Sequence, residues 1–235
     1  METDSTLIAI PTYQERDNVG PIVAALFQMV PAADVILIDD NSPDGTVAEA
    51  ERRFGTDPRF SVLPRSGPRS YGRSLFDGYR IAVDRDYNRL VQMDADFSHD
   101  PAMVPALISA TDKADVSIGS RYCVGGSVAN WPLRRRLLSR FANIYVRAIT
   151  GLPVHDSTSG FRCYTRRALE CLLRIGLNSD GYAFQVEALF LAQREGLRVV
   201  EIPITFTDRR DGRSKMSGKI IVESSLRPWS LRFGR

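Results

Sequence analysis

Five short apolar runs, at Thr6 to Ile10, Val35 to Ile38, Phe60 to Leu63, Leu90 to Met93 and Val116 to Gly119, alternate with segments of helical periodicity at Val19 to Val30, Thr46 to Phe54, Ser74 to Val83 and Ala102 to Thr111. Strands that alternate with helices long enough to cross back over a sheet predict parallel strands joined by right-handed crossovers. The chain therefore reads as an α/β fold, a doubly wound and mostly parallel sheet with helices on both faces. Beyond residue 125 the pattern loosens into helices near 133 to 149, 165 to 174 and 183 to 194, and a strand near Arg198 to Phe206. A chain of 235 residues that is 43% hydrophobic can fill one large core, and no repeat or linker interrupts it. A single domain is expected.

Sheets of this kind hold ligands outside the carboxyl ends of their strands, so the residues that follow each run carry the most information. The run at Leu90 to Met93 stops at Asp94-Ala95-Asp96. Two carboxylates one residue apart at a strand end suit a hard divalent cation whose shell is completed by phosphate oxygens of a substrate. The same pair also suits a solvated turn or a helix N-cap. The second strand ends in Asp39-Asp40-Asn-Ser-Pro-Asp-Gly45, where adjacent acids need hydrogen bonds from a ligand or from loop amides to stay together. A sugar or base edge fits there, and so does a turn that caps the next helix. After the first strand comes Pro11-Thr-Tyr-Gln-Glu-Arg-Asp-Asn18, without the glycines that admit a dinucleotide pyrophosphate. A proline turn bearing an aromatic ring and a carboxylate can stack on and hydrogen-bond a nucleobase; the competing reading is a loop with a helix cap at Asp17 or Asn18.

Charge is uneven. Residues 1–60 carry eleven acids against four arginines, whereas 121–174 carry ten arginines against Asp156 and Glu170, although the formal net charge is only +3. The later half therefore favours an anionic partner. Three cysteines, Cys123, Cys163 and Cys171, show no metal-ligand spacing and no disulfide framework, which points to a reducing compartment. The polar start at Met1 to Ser5 does not read as a signal peptide, so none is expected, and no run approaches the ~18 apolar residues of a membrane span.

Seven motifs in order, PTYQER, IDDNSPDGT, MDADFSHDP, GSRY, TSGFR, GYAFQVE and DRRDGRSKM, make the chain closely resemble the polyprenol (dolichyl) phosphate mannosyltransferases, inverting family-2 glycosyltransferases with a GT-A fold. The resemblance implies a metal-dependent enzyme that transfers mannose from GDP-mannose to a polyprenyl or dolichyl phosphate, with Mg2+ or Mn2+ required. Carried over by motif position, Pro11, Tyr13, Glu15, Ile38 and Asp40 would surround the guanosine, while Asp94, Ala95 and Asp96 would meet the diphosphate and the metal. Ser98 stands where some relatives place a metal-reaching Gln, so it is expected to reach the ion only through water. Arg121 is expected to face the transferred sugar or phosphates, Arg209 and Lys215 to reach back over the nucleotide sugar, and Arg134 and Arg135 to meet the lipid phosphate. The domain then divides into a nucleotide-binding half (1–125), an acceptor half (126–219) and an amphipathic basic tail (220–235).

An acceptor phosphate is already largely anionic at neutral pH, with a second pKa near ~6, so no strong general base is required; Glu187 and Asp156 are the two candidates. One stretch departs from the family, Gly67-Pro-Arg-Ser-Tyr-Gly-Arg-Ser74, where Tyr71 and Arg73 are bulkier than the small residues of relatives. On the membrane side, Leu133, Leu137, Leu138, Phe141, Ile144, Tyr145, Ala148 and Ile149 share one helix face, and Arg136, Arg140, Asn143 and Arg147 another. Such a helix either rests among lipid headgroups, with Trp131 as interface anchor, or packs its apolar face on the sheet. Many relatives continue into membrane helices after the tail, so the expectation here is a catalytic-only, cytoplasmic protein, peripheral on the cytoplasmic face of a membrane, with or without a separate anchoring subunit. Alternatives are transfer from UDP-glucose or UDP-N-acetylglucosamine, a metal-dependent phosphatase, and a non-enzymatic binder of anionic lipid or RNA; no nucleic-acid partner is expected, because the arginine-rich half lacks interleaved stacking aromatics.

Overall fold

In a computed structural model, described for residues 5–208 and 218–234, the first half follows the expected alternation. Strands β1 (Thr6–Thr12), β2 (Asp34–Asp39), β3 (Phe60–Pro64), β4 (Arg89–Gln92) and β5 (Val116–Ser120) are separated by helices α1 (Arg16–Met29), α2 (Thr46–Phe54), α3 (Tyr71–Asp84) and α4 (Val104–Ala110), the last preceded by a 3-10 turn at Pro101–Met103. The second half adds β6 (Ser127–Val128), α5 (Leu133–Thr150), β7 (Arg162–Thr165), α6 (Arg166–Ile175), α7 (Gly181–Arg194), β8 (Val199–Pro203), β9 (Thr205–Phe206) and α8 (Gly218–Phe233).

The main sheet has seven strands in the order β3-β2-β1-β4-β7-β5-β8, and β6 pairs with β9 in a small second sheet. Every neighbour pair in the main sheet is parallel except the two made by β7, which runs antiparallel to both β4 and β5. Strand β7 is absent from the sequence reading, and its composition explains why. It opens on Arg162, a residue that normally argues for the surface, yet this arginine is fully buried. Its guanidinium donates to the carbonyls of Ser157, Ser159 and Gln185, each at 2.8 Å, so the charge is solvated by backbone dipoles.

Side chains of β1 alternate between two cores, as a strand covered on both faces requires. Leu7 and Ala9 join Leu75 and Tyr79 of α3, Leu169 and Leu172 of α6, and Leu189 of α7. Ile8 and Ile10 join Val19, Ile22 and Leu26 of α1, Ala50 of α2, and Val104 and Leu107 of α4. Helix α3 lies close to the sheet because Gly78 has no side chain: a Cβ there would sit 2.8 Å from Ile38 Cδ1 and 3.3 Å from Ala9 Cβ. Gly78→Ala is therefore expected to overpack this contact and to lower stability by about 1–3 kcal/mol in denaturant titration.

Helix α5 differs from the packing alternative. The face turned inward carries Asn143, Val146 and Thr150, while Leu133 (67%), Leu138 (63%) and Phe141 (64%) are exposed, together with Leu137 and Ile144. Asn143 is the docking residue: its Oδ1 accepts from the Ser157 amide at 2.8 Å and from the Ser157 hydroxyl at 3.0 Å. Helix α8 lies against α5, with Trp229 Nε1 donating to the Tyr145 hydroxyl at 2.8 Å and that hydroxyl donating to the Ser225 carbonyl at 2.8 Å. Rings of Phe141 and Tyr145 stack, as do those of Trp229 and Phe233, so the exposed residues of the two helices adjoin. Among the described residues, no helix is long and apolar enough to cross a membrane.

Candidate active site

Strand β4 delivers the acid pair. Asp94 lies two residues past the end of β4 and is half-buried, and Asp96 is buried with its Oδ1 accepting from the Ser98 amide at 3.1 Å. Ala95 between them is buried, so its side chain belongs to the core below. The backbone of Asp94 is anchored by His99, whose Nδ1 accepts from the Asp94 amide at 3.1 Å. That bond leaves the imidazole proton on Nε2. Burial pushes His99 below its ordinary pKa, against the pull of Asp94 and Asp96, which keeps the ring neutral at neutral pH. The ring stacks on Phe161 at 4.9 Å and meets the edge of Phe206 at 5.3 Å. Sequence reasoning gave His99 no role; its place five residues past Asp94 in a tight loop was the available signal.

The donor set fits a hard divalent cation. No group of three His, Cys, Asp or Glu side chains gathers among the described residues, so the protein offers oxygen from Asp94 and Asp96 and leaves the remaining positions to water and substrate. Mg2+ is characteristically held this way, by one or two carboxylates plus substrate phosphates. Beside the pair, the buried Ser98 hydroxyl has no hydrogen-bond partner among the described residues. A buried hydroxyl without a partner costs free energy, and water bound to an ion at the acid pair would satisfy it.

The acids at the carboxyl end of β2 divide the labour. Asp39 serves its own turn, accepting from Thr12 Oγ1 at 2.8 Å and from the Ser42 amide and hydroxyl at 2.8 and 2.6 Å. Asp40 instead looks toward α3: its oxygens accept from the Arg65 guanidinium, the Ser70 amide at 3.0 Å and the Ser74 hydroxyl at 3.2 Å. Arg65, which also pairs with Asp77 at 2.9 Å, is a site residue that sequence reasoning missed. Nearby, the guanidinium of Arg69 covers the ring of Tyr13 at 4.5 Å. Pro11 is half-buried at the end of β1, and Glu15 immediately precedes α1, accepting from Asn18 Nδ2 at 2.8 Å. The cap expected at Asp17 or Asn18 falls inside the helix instead, because the chain turns helical at Arg16. The side chain of Ile38 is fully buried against Gly78, which leaves its backbone at the end of β2 to face the site.

Arg121 follows β5 and forks onto Asp156, with Nε and Nη2 donating to the two carboxylate oxygens at 2.6 Å each, while the Arg121 amide adds a third bond at 2.9 Å. Asp156 is fully buried; burial raises its pKa, but the Arg121 charge outweighs that and holds it below the ordinary value. A carboxylate so held is no proton acceptor. Glu187 is equally occupied, accepting from the amides of Asn178 and Ser179 at 3.1 and 2.7 Å and from Arg227 of α8 at 2.5 Å. Both candidate bases are thus structural.

An aromatic bridge joins the acid pair to the basic side of the molecule. From His99, the edge contact to Phe206 leads to Trp131 at 5.3 Å, and the Arg135 guanidinium lies 4.0 Å over the Trp131 ring. Arg121 lies 5.4 Å from the Phe206 centroid and 5.7 Å from that of Trp131. Trp131 is therefore buried between cations and cannot reach an interface, whereas Trp229 is 49% exposed. Arg135 also pairs with Asp208 at 2.7 Å, and Arg134 is exposed on α5. Arg209 and Lys215 lie outside the described residues.

The fold has clear relatives among solved structures. Glucosyl-3-phosphoglycerate synthase from Mycobacterium tuberculosis, in complex with Mn2+, UDP and glucosyl-3-phosphoglycerate, aligns with a TM-score of 0.72 at 16% identity, over 98% of this chain and 80% of that one. The same enzyme with Mg2+ and UDP aligns at 0.71 and 17%. At such identities the likeness shows the GT-A fold alone. By sequence, the chain is 43% identical to polyprenol monophosphomannose synthase of Mycolicibacterium smegmatis, over 98% of this chain and 88% of that protein. It is 40% identical to undecaprenyl-phosphate mannosyltransferase of Micrococcus luteus, over 96% of this chain and 93% of that protein. A family model, "Glycosyl transferase family 2", matches residues 7–173. With the acid pair standing at the carboxyl edge of such a sheet, and with that much of its length shared, the chain belongs to glycosyl transferase family 2.

Proposed function

We propose that this protein transfers mannose from GDP-mannose to a polyprenyl or dolichyl phosphate with inversion, giving the polyprenyl phosphomannose and GDP. The observation that carries this reading is the acid pair Asp94 and Asp96 on a family-2 fold shared over nearly its whole length with two named polyprenyl-phosphate mannose transferases. In the reaction an acceptor phosphate oxygen forms a bond to the anomeric carbon from one side while the bond to the GDP oxygen breaks on the other. Asp94 and Asp96 would hold Mg2+ or Mn2+, which when bound offsets the charge gathering on the leaving diphosphate. With Asp156 and Glu187 committed to ion pairs, the phosphate's own charge serves in place of a protein base.

The roles of the remaining residues follow from position. Pro11, Tyr13, Glu15, Ile38 and Asp40 would surround the guanosine, with Asp40 exchanging protein donors for the base or sugar. Arg121 would favour the anionic side of the site while its fork on Asp156 keeps the 156–158 loop in place. Arg134 and Arg135, beside the apolar rows of α5, would meet the lipid phosphate, and Arg209 and Lys215 would close over the nucleotide sugar. Residues 1–125 would bind the nucleotide, 126–219 the acceptor, and 220–235 would complete the lipid-facing surface. A separate anchoring subunit would reinforce that attachment. The decisive experiment offers purified protein radiolabelled GDP-mannose, UDP-glucose and UDP-N-acetylglucosamine with a short polyprenyl phosphate, with and without Mn2+. Label reaching lipid from GDP-mannose alone, and only with metal, is the expected result; transfer from a UDP-sugar instead would refute the donor.

The exposed rows on α5 and α8 support membrane association, because so much adjoining apolar surface marks an interaction site. Each large side chain buried among headgroups contributes about 1.5–3 kcal/mol. Replacing Leu137 and Phe141 together by Ser, both exposed and so harmless to folding, is expected to cut partition onto anionic vesicles by about 100-fold in a flotation assay.

A further inference from the structure

Two consecutive residues at the start of α3 join the two acid clusters. Ser70 caps α3 by accepting from the Arg73 amide at 3.1 Å, and its own amide donates to Asp40. The next residue, Tyr71, sends its hydroxyl across to Asp94 and donates to Oδ1 at 3.1 Å. Behind that hydroxyl stands a buried amide relay. Tyr79 donates to Gln92 Oε1 at 2.6 Å, and Gln92 Nε2 donates to Gln185 Oε1 at 2.9 Å and to the Gly160 carbonyl at 3.0 Å. Gln185 Nε2 then reaches the Tyr71 oxygen at 3.5 Å. The relay has one direction: each side-chain oxygen along it is met by a donor, which leaves the Tyr71 proton for Asp94. Space for the hydroxyl exists only because residue 160 is glycine, since a Cβ there would lie 2.7 Å from the Tyr71 oxygen.

We propose that Tyr71 is a positioning residue for the divalent cation, orienting the Asp94 carboxylate through its hydroxyl and thereby setting metal affinity. The inference rests on the proposed role of Asp94 and Asp96 as metal ligands and goes beyond it by naming what aims one of them. Partners that orient ligating carboxylates typically change metal affinity by 10–100-fold when removed.

The test is Tyr71→Phe, which keeps the ring and removes one oxygen. Mn2+ binding to the protein with GDP, followed by electron paramagnetic resonance of the free ion, is expected to weaken about tenfold, and the metal concentration for half-maximal transfer to rise in step while kcat at saturating Mn2+ changes little. A merely structural role would lower kcat or thermal stability without that split. Gln185→Leu, which breaks the relay without touching Asp94, is expected to weaken Mn2+ in the same direction by a smaller factor, and it keeps the question decidable if Tyr71→Phe folds poorly. Affinity unchanged within twofold in both variants, or tighter binding in Tyr71→Phe because the hydroxyl competes with the ion, would overturn the proposal. Failure of the wild-type protein itself to bind Mn2+ with GDP would overturn the metal reading of the acid pair, and this inference with it.

Discussion

Replacing Asp96 by Asn is expected to lower mannosyl transfer by at least about 10³-fold, with Asp94→Asn close behind. Each change keeps the side-chain shape and removes one of the two negative oxygens groups from which a hard cation is held. Loss of a single preorganised stabilising contact to developing charge costs about 10²–10³ in rate, and these substitutions remove both the contact and part of the ion's affinity. Asp96 is the more sensitive because it is buried and its Oδ1 also fixes the Ser98 amide. Rates measured with each variant across a Mn2+ titration, beside circular dichroism to verify folding, check the result. Transfer that survives in the double variant would remove the acid pair from the chemistry.

Arg121→Ala is expected to have the largest effect on stability. The substitution strands a fully buried carboxylate that now accepts three bonds from Arg121; the backbone bond can remain, the two charged ones cannot. Removing one partner of a buried pair costs about 3–5 kcal/mol, which for a chain of this size lowers the melting temperature by about 10 °C. The sign of the pH dependence follows from Asp156, whose folded pKa lies below its ordinary value because of Arg121. Its contribution is present at neutral pH and is lost only as pH falls through that depressed value. In the variant, burial without the cation favours the protonated acid, so the gap between variant and wild type is widest at neutral pH and narrows on acidification. Arg121→Lys should recover little, since a single ammonium cannot match the two-pronged geometry, whereas pairing Arg121→Met with Asp156→Leu should recover most of the stability. Melting curves at several pH values decide both points.

Local pattern made the first half readable: the five apolar runs became β1 to β5, and α2 falls on the residues its periodicity marked. The acid pair was legible because a strand end is a local feature. What stayed hidden depends on partners far along the chain. Asp156 and Glu187 look like free acids until Arg121 and Arg227 are placed beside them, 35 and 40 residues away. The amphipathic pattern of α5 gave its two faces but not which one docks, since that is decided by Asn143 finding Ser157. That Trp131 is no interface anchor could not be read without knowing that Phe206 and two guanidinium groups enclose it. Tyr71 was visible only as a residue too large for its place; its target is 23 positions on.

The antiparallel strand β7 has a consequence for how the polypeptide is made. It lies between β4 and β5, hydrogen-bonded to both, yet it is translated after them. A nascent chain released from the ribosome only as far as α4 and β5 must therefore leave the outer edge of β4 and both edges of β5 unpaired, a state prone to pairing with other chains. The seven-stranded sheet closes only when Arg162 arrives and finds its carbonyls in the loop before it and in α7. The first 125 residues lack the strand that joins β4 to β5, so the seven-stranded sheet is completed only by segments of the second half.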